Sequence, residues 1–188
     1  MLPLNIILFI YSTIITFIYL LYHTTLMAVI CVYFYRVYVW TDDQGKKLKC
    51  SAPLYFDYAL SYIQDLLTDE DVFPTKAGSV FPAGFVFLVQ KVFLLLFRTL
   101  AHIYWSHYRE TLALGLHPHL NTLFTHLTHF CQQHSLLEPE DTEPLQDLIT
   151  ALGQYILIHS AGGFEGLEDE SWFLKKCQKC SHKLLLYV

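Results

Sequence analysis

Two histidines, His102 and His107, stand five residues apart in the stretch AHIYWSHY at residues 101–108. On an uninterrupted α-helix, five steps of about 100° leave their rings roughly 140° apart. The four-residue spacing that puts both imidazoles of a zinc protease on one face is absent. Two arrangements are open. Either one ring faces the core and the other faces water, or the helix bends or ends nearby and both rings reach one metal. A zinc site then needs two more donors, most often Cys or His. With Glu110 as a base for metal-bound water, the same pair would be the centre of a zinc hydrolase. That reading lacks a third protein ligand.

Other groups could ligate as well. His126 and His129 lie three apart and share a helix face, and without Cys or carboxylate neighbours they read as polar-face residues. His117 and His119 flank Pro118 at a helix entry, where a structural role is expected. Cys177, Cys180 and His182, in CQKCSH, have the two-residue gap typical of a zinc knuckle, but such a site needs a second ligand pair. Nucleophilic catalysis finds no support: the chain has no G-x-S-x-G elbow, no Gly-rich phosphate loop and no evident acid–base carboxylate pair. Cys131, flanked by apolar residues on a helix, reads as a small hydrophobe.

The elements that must position these groups follow from periodicity. YFYRVYVW at residues 33–40 alternates as a strand, TDDQGKK supplies turn chemistry, and KLKC extends again, so residues 33–50 predict a hairpin. In its turn, Asp42 and Asp43 can bond nearby backbone, and Gly45 tolerates positive φ. Pro53 suits a first helical turn, and Leu54, Tyr58, Ile63, Leu66 and Leu67 follow at helical spacing. TDEDVFPTKAGSVFPAGF is a loop carrying an acidic knot, Asp69, Glu70 and Asp71. From Phe85 to about Leu114 the sequence predicts one helix, apolar nearly all round, the mark of the buried member of a bundle. Further helices are expected from near Pro118 to about His134, and from a cap at Thr142 onward. Beyond Gly153 the pattern decays, and SAGGFEGLEDESW reads as linker.

The chain of 188 residues is long enough for one domain with a core. Its formal charge of −5 argues against a generic nucleic-acid binder and suits a basic protein surface as partner. Five cysteines, Cys31, Cys50, Cys131, Cys177 and Cys180, form no disulfide framework and point to a reducing compartment. Residues 1–35 contain no Asp, Glu, Lys or Arg. That run is long enough to span a bilayer as a helix, with Arg36, Lys46, Lys47 and Lys49 holding the rest in the cytosol. Three segments result: 1–35 apolar, 36–153 a domain, and 154–188 a poorly ordered tail.

Four strings carry a resemblance: GKKLKCSAPLYFDY, TDEDVFPTKAGSVFP, LFRTLAHIYWSHYRETLALGLHPHLNTLF and LLEPEDTEPLQDL. Over about residues 38–152 the chain resembles the MOB (Mps one binder) kinase-activator family, nearest its MOB kinase activator 2 branch. The resemblance implies an all-α bundle with a short β-hairpin, here preceded by the charge-free segment. It implies a non-catalytic adaptor that binds NDR/LATS-type serine/threonine kinases in Hippo/NDR signalling, cytoplasmic or nuclear. The alternative is a single-span membrane protein displaying a degenerate form of the domain to the cytosol. In the family, the two histidines corresponding to His102 and His107 ligate a structural zinc with two cysteines that precede the hairpin. Here YSTI and MAV are kept, yet no cysteine lies between them; His23 sits near the expected place and Cys31 lies beyond it. The acidic first helix that contacts the kinase is also missing, leaving Asp69, Glu70 and Asp71 as candidates for docking. Of the basic residues that bind phosphopeptides in some members, Arg98 remains, with Leu94 and Leu95 at the other positions.

Overall fold

The computed structural model describes residues 37–160 apart from positions 43 and 77. The apolar segment 1–35, with His23 and Cys31, and the tail with Cys177, Cys180 and His182 lie outside the described residues, as does the expected start of the hairpin before residue 37.

Strands β1 (Tyr38–Thr41) and β2 (Lys47–Cys50) pair antiparallel, with Tyr38 opposite Cys50 and Thr41 opposite Lys47. Asp42 closes the turn: its Oδ1 accepts the backbone N–H groups of Gln44 (3.0 Å) and Lys46 (2.8 Å). Gly45 follows at φ 78°, a conformation side chains resist. Alternation gives the hairpin two unlike faces. Val39, Lys47 and Lys49 point to solvent, while Tyr38 and Cys50 are buried.

Helix α1 (Ala52–Thr68) opens with Pro53 in its first turn, as its missing N–H allows. It packs on the inner face of the hairpin through rings: Tyr38 meets Tyr55 and Phe56, and Trp40 meets Tyr55, Tyr58 and Tyr62. After the loop, α2 (Phe85–Ser106) runs through the centre, with Val92, Phe93, Leu96, Phe97 and Leu100 fully enclosed. Among the described residues it is the one helix long and apolar enough to cross a bilayer, and most of it is covered by the bundle. The core of a soluble bundle meets the same criterion.

The single helix expected from Phe85 to about Leu114 is two. It breaks at His107, whose φ of −134° leaves the helical region, and resumes as α3 (Tyr108–Ala113). The Thr111 hydroxyl donates to the His107 carbonyl at 2.8 Å, a back-bond of the kind that bends helices.

Helix α4 (His117–His134) lies antiparallel along α2. Phe93 stacks on Phe130 and Phe97 on Phe124, and Tyr104 donates to Asn121 Oδ1 at 2.7 Å. The chain then enters α5 (Pro139–Thr142), a 3-10 turn (Glu143–Leu145) and α6 (Gln146–Ser160). Thr142 does not cap with its side chain; its hydroxyl donates back to the Pro139 carbonyl at 3.2 Å, because the helical winding begins three residues earlier. Helix α6 continues through Gly153 to Ser160, past the point where the apolar spacing decays. Leu148 and Leu152 bury its inner face. Seven of the residues joining α4 to α6 are wound into helical turns.

Candidate metal centre and docking face

The break in α2 answers the question posed by the five-residue spacing. With the helix ended at Ser106, the His107 ring turns back, and its centroid lies 5.1 Å from that of His102. Both side chains are buried, 6% and 2% exposed, so neither is a solvent-facing surface residue. The expectation of one ring in the core and one in water is excluded.

His102 sits in an aromatic wall. Its centroid is 4.9 Å from Phe56 and 5.7 Å from Tyr38. The Tyr38 hydroxyl lies 2.6 Å from His102 Nδ1, and the Ser106 hydroxyl is 3.5 Å from the same nitrogen. With Nδ1 engaged, a metal at His102 would have to be held through Nε2. A hydrogen-bonded second nitrogen is the usual way a ligating imidazole is oriented. Burial pushes the His107 imidazole below its ordinary pKa, and the nearby Glu110 carboxylate offsets part of that shift. His107 is therefore neutral near pH 7, the protonation state that ligation requires.

Two neutral imidazoles suit a borderline-soft ion such as zinc and supply half of a tetrahedral set. Among the described residues no group of three His, Cys, Asp or Glu side chains converges. Cys50 and Cys131 are buried free thiols. Burial raises both, Cys131 to about 12, which makes each a packing residue rather than a reactive one. His126 and His129 are exposed on the outer face of α4. Glu110 is half-buried on α3, beside His107.

The acidic knot is exposed, and part of it is used locally. Asp69 ends α1: its carbonyl accepts from Phe73 N–H at 2.8 Å, and its Oδ1 from Asp71 N–H at 2.8 Å. Glu70 accepts from the Thr75 hydroxyl at 2.9 Å. Asp57 and Asp65, which the sequence reading passed over, extend the exposed acidic surface along α1. Their spacing on the polar side of the helix was the signal available. The last turn of α1 contains no basic residue. Arg98 is half-buried on α2; Leu94 beside it is half-buried and Leu95 is in the core.

Residues 7–145 match the Mob1/phocein family. The chain belongs to that family. It is 50% identical over 130 residues to human MOB kinase activator 2, covering 69% of this chain and 55% of the human protein. The mouse MOB kinase activator 2 is 52% identical over 115 residues, 61% of this chain and 49% of the mouse protein. The maintenance of ploidy protein mob2 of Schizosaccharomyces pombe (strain 972 / ATCC 24843) is 43% identical over 115 residues, 61% and 47% of the two chains. The chain thus spans about half the length of the curated relatives it matches. The family match takes in the hairpin, α1 to α5 and the histidine pair.

Proposed function

We propose that this Mob1/phocein-family chain is a non-catalytic kinase regulator that docks on NDR/LATS-type serine/threonine kinases. The observation that carries the reading is the likeness to MOB kinase activator 2, 50% and 52% identical over 130 and 115 residues. Its physical counterpart is the exposed acidic surface formed by Asp57, Asp65, Asp69, Glu70 and Asp71. Carboxylates at the C-terminal end of a helix oppose the helix dipole, at a cost of about 0.3–1 kcal/mol each. Such a cluster does little for α1 and suits a basic partner segment. Binding of the full chain to a basic N-terminal kinase fragment, measured at low and high salt, tests the reading. Salt-sensitive binding is expected; a fragment that fails to bind at low salt sinks it.

The chain holds a structural zinc through His102 and His107 in this reading. The metal ties the end of α2 to another part of the chain. No cysteine lies between YSTI and MAV, so the remaining donors would come from elsewhere. Metal analysis of purified protein beside a His102→Ala control tests this.

The charge-free segment favours a second reading, a single membrane span presenting the bundle to the cytosol. The family match that reaches back to residue 7 supports treating the segment as part of the domain. In our proposal the protein is cytoplasmic or nuclear. Carbonate extraction of expressed protein decides, since release into the supernatant rules out a span.

A further inference from the structure

Exposed apolar side chains gather at one place on this bundle. Val80, Val86 and Phe87 are 87%, 58% and 76% exposed. Phe81 and Phe85, with ring centroids 4.4 Å apart, hold the loop that carries Val80 against the first turn of α2. Phe85 also meets Phe73 at 5.2 Å, so the chain leaving the acidic knot closes on the same turn. Single apolar residues at a surface mean little, whereas a cluster with a charged margin marks a contact site.

We infer that Phe87, with Val86 and Val80, is the apolar anchor of the docking surface and takes the aliphatic or aromatic side of a basic amphipathic helix, whose cationic side meets Asp65 and Asp69. The inference rests on the kinase-regulator reading above and deepens it by naming the chemistry of the partner segment.

Register puts the anchor beside the carboxylates. Helices α1 and α2 are antiparallel: Phe56 meets His102 towards one end, and Lys91 lies over the Tyr62 ring, 4.0 Å from its centroid, towards the other. Phe87 is one helical turn before Lys91 on the same stripe of α2. On α1 the matching step from Tyr62 brings Asp65 and the half-buried Leu66. The seam between the helices therefore runs from the Tyr62–Lys91 contact to a level that holds Phe87, Asp65 and Leu66, and Asp69 follows one turn later.

Spacing selects a helix as the occupant. Asp57, Ser61, Asp65 and Asp69 succeed one another at four-residue steps and form one exposed row along α1. A partner helix laid along the seam repeats its own Lys or Arg at that interval and keeps a second, apolar stripe for Phe87. Charge selects its sign. The exposed carboxylates Asp65, Asp69, Glu70 and Asp71 outnumber the loop's Lys76, and the Lys91 ammonium is engaged by Tyr62. A second copy of this face brings like charge against like, whereas a basic helix is attracted.

The test measures binding of the full chain to the basic N-terminal fragment of an NDR-type kinase at low and at high salt. V86Q/F87Q should bind at least about tenfold more weakly at both, with the salt slope unchanged, because apolar burial is not screened. Both side chains are exposed, so urea unfolding of the variant should match wild type. L114Q removes an exposed apolar side chain beyond the opposite end of α2 and should bind as wild type does. If V86Q/F87Q binds as wild type at both salt concentrations, or L114Q loses as much, the anchor falls while the kinase-regulator reading stands. A variant that keeps its affinity and loses urea stability shows the patch packed against the chain itself, and overturns the inference. A wild-type dimer that V86Q/F87Q dissociates, with kinase affinity unchanged, gives the patch to a second copy and also overturns it. Wild type that fails to bind the fragment at low salt defeats both this inference and the reading beneath it.

Discussion

The Tyr38 hydroxyl engages Nδ1 of His102 at 2.6 Å, and that small fact has a measurable consequence. Tyr38→Phe keeps the ring contacts to Tyr55 and Phe56 and removes the 2.6 Å bond to Nδ1. A buried polar nitrogen that loses its partner costs about 1–3 kcal/mol. Urea unfolding of Tyr38→Phe should show a loss in that range with an unchanged m-value. The His107 imidazole adds a pH dependence whose sign follows from its lowered folded pKa. Above the unfolded value of about 6.5 both states are neutral and its contribution is complete. As pH falls from there towards the folded pKa, the unfolded chain takes up the proton first and stability declines. Chelator-treated wild type should therefore lose stability as the pH falls below about 6.5 more steeply than His107→Gln. The chemistry of this pair was legible in residue type and spacing. Its geometry was not, because the apolar periodicity runs through residues 103–112 and gives no hint that the backbone leaves the helix at His107.

At the scale of elements, much of the fold could be read because its punctuation is strong. Asp42 and Gly45 mark the hairpin turn, Pro53 and Pro118 mark helix starts, and the nearly all-apolar α2 announces its burial. The passage from α4 to α6 was harder to read, since Pro139 and Pro144 both permit a helical start and neither dictates whether one helix or three short windings follow. The end of α4 offers a test. Ser135 closes it in the left-handed region at φ 51°, and Leu136 N–H donates to the Cys131 carbonyl at 3.0 Å. A serine there carries backbone strain that glycine lacks. Ser135→Gly should stabilise the protein by about 0.5–1 kcal/mol once the added freedom of the unfolded chain is counted. Thermal unfolding will register this as a raised Tm, and a lowered Tm would contradict the cap. One turn earlier, Cys131 is enclosed with its thiol pushed up to about 12. At pH 8 its thiolate fraction is roughly a thousandfold below that of a free cysteine. Mass-spectrometric alkylation should leave Cys131 unmodified until denaturant opens the bundle.

At the scale of the whole molecule, docking is a matter of charge distribution more than of any single contact. The chain carries a formal charge of −5, and α1 presents its exposed carboxylates from Asp57 to Asp71 along one side of the bundle. These groups do not all serve the same end. Asp69 holds the helix end through its hydrogen bonds, and Glu70 holds Thr75. Asp57 and Asp65 have no such local duty among the described hydrogen bonds. Reversing the latter two separates docking from folding. Asp57→Lys/Asp65→Lys should leave unfolding within about 0.5 kcal/mol of wild type, as exposed substitutions usually do. The same variant should weaken binding to a basic kinase segment and flatten its salt dependence, because charges beyond a Debye length of about 8 Å are screened at physiological ionic strength and only near ones contribute. Asp69→Ala should behave in the opposite way, lowering stability while costing less of the salt slope. If Asp57→Lys/Asp65→Lys binds the kinase segment as wild type does at low salt, the acidic side of α1 is not the docking surface. The partner would then have to meet another face of the bundle, of which the exposed Val39, Lys47 and Lys49 of the hairpin are the most distinct in chemistry.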